Sequence, residues 1–335
     1  MTARRLPEPE VDLFCYEAFA EEAERLVHHA HAAGIRLGHT PATLQEAGHT
    51  APPAACISIR TQSLLPVEWA PHLQGILSRS TGYDHLSAYQ AAVQTPPRLG
   101  YLPLYCARSV AEQAMLLWTA LWRRLPAQTQ HFLSFDRDGL SGREIQGRRL
   151  ALFGVGHIGY EIHRIATALG MHVKAVDPVR RYADVAYASA EEALEDAEGI
   201  VCAMNLTAEN HGYFTLERLA QARRKPLLVN IARGELTPAT VLRQALEKGL
   251  LSGIGLDVYN EEASLADGLR AGTTEAFTAD NRALLWLQQQ PECLCTPHNA
   301  FNTVEAVERK SEQTIRTFLQ FQKNGAFLWP VPGSP

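Results

Sequence analysis

The chain has 335 residues, long enough for two domains with separate cores. Apolar residues make up 46% and charged residues 20%, ordinary values for a globular chain, and a net charge of -5 argues against the basic footprint of a nucleic-acid binder. No apolar run reaches the roughly 18–20 residues of a membrane span, and Arg4 and Arg5 lead into acidic residues rather than the apolar core of a secretory leader. In chain order, Val11 to Tyr16 predicts a strand, followed by a helix from about Ala18 to Ala33 that Gly34 ends. Short strands are predicted at 56–59 and 75–78, and Pro96, Pro97 and Pro103 mark an extended crossing segment. Ser109 with Glu112 fits a capping box that opens a long helix through Val110, Ala114, Leu117, Trp118 and Leu121. Its apolar surface is wider than one stripe, which predicts burial against another domain or subunit.

From Arg149 onward strand and helix signals alternate. Strands are predicted at 150–153, 173–176, 200–204, 227–231, 253–258 and 294–296, with helices between several of them and a last helix over 304–323 that Gly325 stops. Such alternation predicts an α/β fold, a doubly wound parallel sheet. Cys15, Cys56, Cys106, Cys202, Cys293 and Cys295 form no CxxC pair and read as reduced, buried thiols of a cytoplasmic protein. His28, His29 and His31 share a charged helix without completing a ligand set, so no metal is expected there.

Gly154-Val155-Gly156-His157-Ile158-Gly159 follows an apolar strand and opens an amphipathic helix. Gly154 permits a tight turn, Gly156 a close approach of backbone to a pyrophosphate, and Gly159 close packing of helix on strand. Free N–H groups near His157 and Ile158 would face the phosphates. Asp177 lies 23 positions after Gly154, at the end of the next strand, where a carboxylate accepts from ribose hydroxyls and repels a 2′-phosphate. NAD is therefore the expected cofactor, with Arg180 and Arg181 read as a solvated loop rather than an NADP clamp.

Three ionisable residues follow. Arg233, in Asn230-Ile231-Ala232-Arg233-Gly234, comes just after a predicted strand, at the edge where open α/β sheets bind ligands. Its guanidinium can hold a carboxylate or ketone oxygen by paired hydrogen bonds. His298, in Thr296-Pro297-His298-Asn299-Ala300-Phe301, can give a proton to a substrate oxygen and take it back. One of the adjacent pair Glu261 and Glu262 would orient that imidazole and favour its acid form; residue chemistry alone does not choose between them.

These motifs, in this order, resemble the D-isomer-specific 2-hydroxyacid dehydrogenases, and within them the D-lactate dehydrogenase branch. The resemblance runs from about Ser58 to Thr303. It implies two Rossmann-like domains, the substrate domain discontinuous over 1–107 and 303–335 and the NAD-binding domain over 108–302. It implies that Arg233, Glu262 and His298 are catalytic, Glu262 standing five residues after the aspartate of an Asp-Val-aromatic motif. Asn205, Asn210, Ile231, Ala232, Asp257 and Ala300 are implied as further cofactor contacts. In the first domain, Arg79-Ser80-Thr81-Gly82-Tyr83-Asp84 is similar to the family's carboxylate-holding loop, with Thr81 and Gly82 as the contacts. Tyr105 matches a substrate-facing tyrosine, Phe301 would wall the side-chain pocket, and Ser58 to Thr61 is a weaker candidate for the same pocket. Two aromatic walls suit a small or apolar 2-oxo acid.

Two positions depart from the family pattern: Asn205 replaces a common proline, and Ala263 replaces the proline that often follows the glutamate. The expected activity is reversible NAD-dependent reduction of a 2-oxo acid by a homodimer with no nucleic-acid or membrane partner. The rival readings are a phosphite dehydrogenase-type oxidoreductase and an NAD-sensing corepressor-like scaffold.

Overall fold

The computed structural model describes residues 11–333, so the leader argument at residues 1–10 lies outside the described residues. The described parts of Met1–Cys106 and Asn302–Pro335 form one compact unit, and Ala107–Phe301 forms a second. In the first unit, β1 (Leu13–Cys15), β2 (Leu37–His39), β3 (Cys56–Ile59), β4 (Gly75–Ser78) and β5 (Arg98–Gly100) make one sheet in the order β2-β1-β3-β4-β5. In the second, β6 (Arg149–Phe153), β7 (His172–Val176), β8 (Gly199–Cys202), β9 (Leu227–Asn230), β10 (Gly253–Leu256) and β11 (Cys293–Cys295) order as β11-β10-β9-β8-β6-β7. Every strand pairing in both sheets is parallel. The architecture is α/β, with two sheets of the Rossmann-like kind.

The strand sequences explain this arrangement. β3, β4, β8, β9 and β10 are buried at every position, which requires helices on both sheet faces and fits their near-continuous apolar runs. The first unit's core gathers Tyr16, Ile57, Ile59, Trp69, Ile76, Leu86 and Leu99. The second unit's core includes Phe153, Phe214, Leu228, Leu242, Ile254 and Leu287, with the Phe153 and Phe214 rings edge-on at 5.0 Å.

Helix ends largely follow local signals. Thr303 caps the helix Val304–Asn324 by accepting from the Ala306 amide, and Gly325 at φ 71° ends it. The helix near Ser109 departs from expectation. It begins at Ala107, so Ser109 is inside it and donates to the Phe301 carbonyl (3.2 Å) rather than capping, while Glu112 pairs with Arg108 at 2.6 Å. Its wide apolar surface is used within its own unit. Val110, Ala111, Ala114, Leu117 and Trp118 are buried, and Leu117 and Leu121 lie against Gly255 of β10, where a Cβ would meet them.

Candidate active site

The carboxyl ends of three neighbouring strands carry the three ionisable motifs. β9 pairs with β10 so that Asn230 is level with Leu256, and β10 pairs with β11 so that Leu256 is level with Cys295. Arg233, Asp257 and His298 therefore leave the same edge of the sheet within three residues of this common level.

His298 sits at φ 49°, a left-handed conformation that needs outside support in a non-glycine residue. The support comes from Asp257, which is buried at the end of β10. One Asp257 oxygen accepts from the Asn299 amide (2.8 Å) and the Thr296 hydroxyl (2.6 Å), and the other accepts from the Ala300 amide (2.8 Å). Burial pushes the Asp257 carboxyl up from its ordinary range, against the pull of the Thr296 and Asn299 hydrogen bonds. Tyr259 adds a hydroxyl bond to the Thr296 carbonyl at 2.6 Å. The loop that presents His298 is thus wrapped around one carboxylate.

The glutamate ambiguity resolves geometrically. His298 Nδ1 lies 2.7 and 2.8 Å from the two oxygens of Glu262, whereas Glu261 accepts from the Thr278 hydroxyl at 2.6 Å. Glu262 is the first residue of the helix Glu262–Ala271, where a carboxylate is favoured by the N-terminal amides. With Nδ1–H turned to Glu262, Nε2 is the ring atom left to exchange a proton with a substrate. Both side chains are about one-fifth exposed, so they are shielded without being sealed.

Arg233 depends on a second buried polar residue, Asn230. The Asn230 side chain accepts from the Ala232 amide (2.9 Å) and donates to the Arg233 carbonyl (2.8 Å) and the Thr237 hydroxyl (2.7 Å). Its amide therefore shapes the turn that presents the guanidinium. Gly234 completes that turn: a Cβ there would collide with the backbone of Tyr259 and Asn260. The motif Asn-x-x-Arg-Gly contains both residues, but their supporting roles become visible only when the β9 and β10 loops touch.

At the glycine turn, Gly154 has φ 91°, and a Cβ on it would come within 2.6 Å of the Ala203 carbonyl. A Cβ on Gly159 would strike the Gly154 carbonyl, so helix and strand are packed as close as backbones allow. Gly156 is different: a Cβ there meets no protein atom within 4 Å. Its smallness serves nothing inside the fold and fits a phosphate approaching the N-terminus of the helix His157–Ala168, beside His157 and Ile158. Asp177 is fixed by accepting from the amides of Val155 (2.7 Å) and Val179 (2.8 Å), one on each oxygen. Each oxygen keeps lone-pair capacity for a ribose hydroxyl. Arg180 lies over the Tyr187 ring at 6.0 Å and both Arg180 and Arg181 are exposed, as a solvated loop requires.

The remaining expected cofactor contacts are spread along the same edge. Asn210 donates to the Asn205 carbonyl and accepts from the Thr207 amide, both at 2.8 Å, so it shapes the loop after β8 in which Asn205 is exposed. Ile231 and Ala300 are buried and Ala232 is half-buried. Phe301 is buried in the second unit.

In the first unit, the Thr81 hydroxyl lies 3.3 Å from the Leu102 carbonyl and 3.2 Å from Cys106 Sγ. The Gly82 carbonyl accepts from Ser80 at 2.7 Å. Tyr105 is buried, its carbonyl accepting from Arg309 at 2.9 Å. Outside these sites, five of the six cysteines are buried and Cys295 is partly so, all six unpaired with one another, and His29 pairs with Glu308 at 2.8 Å.

Comparison with known proteins identifies the family. Residues 115–300 match the model of the D-isomer specific 2-hydroxyacid dehydrogenase NAD binding domain. The D-3-phosphoglycerate dehydrogenase of Bacillus subtilis is 31% identical over 222 residues, covering 64% of this chain and 39% of that longer one. The D-lactate dehydrogenase of Streptococcus agalactiae serotype V is 28% identical over 266 residues, covering 76% of this chain and 77% of that one. Among solved structures, D-lactate dehydrogenase from Aquifex aeolicus, complexed with NAD and lactic acid, superposes with TM-score 0.82 at 26% identity over 95% of this chain and 99% of that one. With the family model covering more than half of its length, this chain belongs to the D-isomer specific 2-hydroxyacid dehydrogenase family.

Proposed function

We propose that the protein reversibly reduces a 2-oxo acid to its D-2-hydroxy acid, with His298 as general acid and base. The observation that carries this reading is the His298 Nδ1 contact with both Glu262 oxygens, at 2.7 and 2.8 Å, on the strand edge that also carries Arg233. Bound NADH supplies the hydride. Arg233 holds the substrate through its guanidinium and polarises the ketone, and His298 Nε2 gives its proton to the ketone oxygen as that oxygen becomes a hydroxyl. Glu262 stabilises the imidazolium before transfer and keeps Nδ1 protonated after it. In the reverse direction neutral His298 takes the hydroxyl proton. Asp177 and the glycine turn select NAD, and Asn205, Asn210, Ile231, Ala232, Asp257 and Ala300 complete the cofactor contacts.

We assign cofactor binding to the second unit and substrate binding by Thr81, Gly82 and Tyr105 to the first, with Phe301 as a further substrate contact from the second. A homodimer is favoured by apolar side chains left in water between residues 116 and 135: Phe132, Leu133 and Phe135 are 72%, 91% and 73% exposed. Light scattering on the purified protein tests it. A cytoplasmic location is favoured by cysteines held reduced and apart.

The decisive experiment is NADH oxidation with pyruvate, glyoxylate, hydroxypyruvate, phenylpyruvate and branched 2-oxo acids. Failure to oxidise NADH with any 2-oxo acid would sink the proposal.

A further inference from the structure

The carboxylate that meets His298 sits on a stretch of chain held at both ends. Upstream, the backbone of Tyr259 and Asn260 is packed against Gly234. Downstream, Leu265 is the buried residue of the helix Glu262–Ala271 and joins the core of the second unit. Gly268 of the same helix lies on the Phe277 ring, which a Cβ there would strike. Between these anchors Glu261 and Ser264 are exposed, and Glu262 and Ala263 are half-buried.

Glu261 is the residue at which the chain turns into the helix. Its φ of 54° and ψ of 38° are left-handed, a conformation that a side chain disfavours and that glycine would adopt freely. Because Glu262 follows directly, those two angles set the direction in which its side chain leaves the helix start. Ala263, the next residue, has no ring to fix the first turn. The restraint comes from the Glu261 side chain, whose Oε2 accepts from the Thr278 hydroxyl at 2.6 Å.

Thr278 is a firm anchor. It caps the helix Ala279–Gln288: its Oγ1 accepts from the Asn281 amide at 3.2 Å, and its amide donates to Asn281 Oδ1 at 3.3 Å. A threonine hydroxyl has one proton, and here it points at Glu261. The capped helix is fastened in turn. Asp280 accepts from the Thr240 amide and hydroxyl, both at 2.9 Å, and Leu284 and Leu287 lie in the core.

We propose that Glu261 is a positioning residue for proton transfer: by accepting from Thr278 it fixes the left-handed turn that aims Glu262 at His298 Nδ1. This rests on the acid–base role of His298 proposed above and deepens it. The two adjacent glutamates divide the labour, Glu262 touching the imidazole and Glu261 tying that contact to the helix Ala279–Gln288. The role belongs to the accepting oxygen of Glu261 and not to its charge.

Steady-state kinetics test this with whichever of the 2-oxo acids named above the native protein reduces fastest. Glu261→Ala should lower kcat about tenfold, while KM for the acid and Kd for NADH stay within about twofold. Glu261 is exposed, and an unaltered Kd for NADH reports an intact second unit. Glu261→Gln, which keeps an oxygen for the Thr278 hydroxyl, should stay within about threefold of native kcat, and so should Thr278→Ser. Thr278→Ala should repeat the loss. In a Glu262→Ala background, adding Glu261→Ala should cost nothing further, because its effect runs through Glu262. Native kcat in Glu261→Ala or Thr278→Ala overturns the inference. So does a Glu261→Gln loss as large as that of Glu261→Ala, or a full further loss in the Glu262→Ala background. Each of these leaves the dehydrogenase reading standing, whereas failure of the native protein to reduce any of the acids overturns both.

Discussion

Glu262 grips His298 at one nitrogen with two oxygens, 2.7 and 2.8 Å from Nδ1, which leaves the opposite nitrogen as the working atom. His298→Ala should lower kcat by about 100- to 10,000-fold, the usual contribution of a positioned acid–base group. Glu262→Gln should keep a hydrogen bond but lose the charge that stabilises imidazolium. It should therefore lower kcat for reduction by about tenfold or more. Steady-state rates check both variants, and an unchanged kcat in Glu262→Gln would remove Glu262 from the mechanism.

Arg233→Lys keeps the charge and loses the planar fork. KM for the 2-oxo acid should rise by about tenfold or more with a fall in kcat, since a point charge cannot hold two oxygens at fixed positions. An Arg233→Lys enzyme with native KM would show that the guanidinium does not touch substrate.

Asn230→Ala tests the turn rather than the chemistry. It leaves the Ala232 amide and the Arg233 carbonyl without the side chain that bonds them, at a cost of about 1–3 kcal/mol in stability. It should also depress kcat/KM, because Arg233 loses its support. Denaturant unfolding and kinetics on one preparation measure both effects, and loss of stability alone would confine Asn230 to the fold.

Asp177→Ala should weaken NADH binding about tenfold and narrow the preference over NADPH, because the carboxylate both accepts from the ribose and repels a 2′-phosphate. Fluorescence titration with the two cofactors gives the ratio.

Glu22→Gln should be costly in the first unit. It removes the buried carboxylate that faces Arg79 and Lys310, a loss of about 3–5 kcal/mol. Burial alone would raise the Glu22 carboxyl, but Arg79, Lys310 and Arg60 outweigh burial and hold it at about 2, below its ordinary 4.5. A depressed carboxyl contributes fully above its unfolded value and loses that contribution as pH falls from about 4.5 toward 2. Native protein should thus lose stability through that window, with a shallower loss in Glu22→Gln, as thermal melts at acid pH would show.

Much of this was legible in the sequence for physical reasons. Fully buried parallel strands read as apolar runs, and residues that begin or end loops beside them announce themselves, as Gly154, Asp177, Arg233 and His298 do. What escaped was support that acts across strands. Nothing local distinguishes Glu261 from Glu262; only the pairing of β10 with β11 brings Glu262 to the imidazole and sends Glu261 to Thr278. Asn230 and Asp257 appeared as motif letters, and their work on neighbouring backbone depends on three-dimensional contact. The capping box at Ser109 misled because its helix starts two residues earlier.

The missing side chain at Gly234 has a mechanical consequence. Because the backbone after β9 rests directly on the backbone at Tyr259 and Asn260, no soft side chain stands between them to absorb a shift. The Arg233 turn and the segment leading to Glu262 must travel as one rigid hinge plate. A perturbation that moves the proton-tuning carboxylate therefore moves the anion grip with it, so gripping a substrate and readying its proton are geared together rather than set independently.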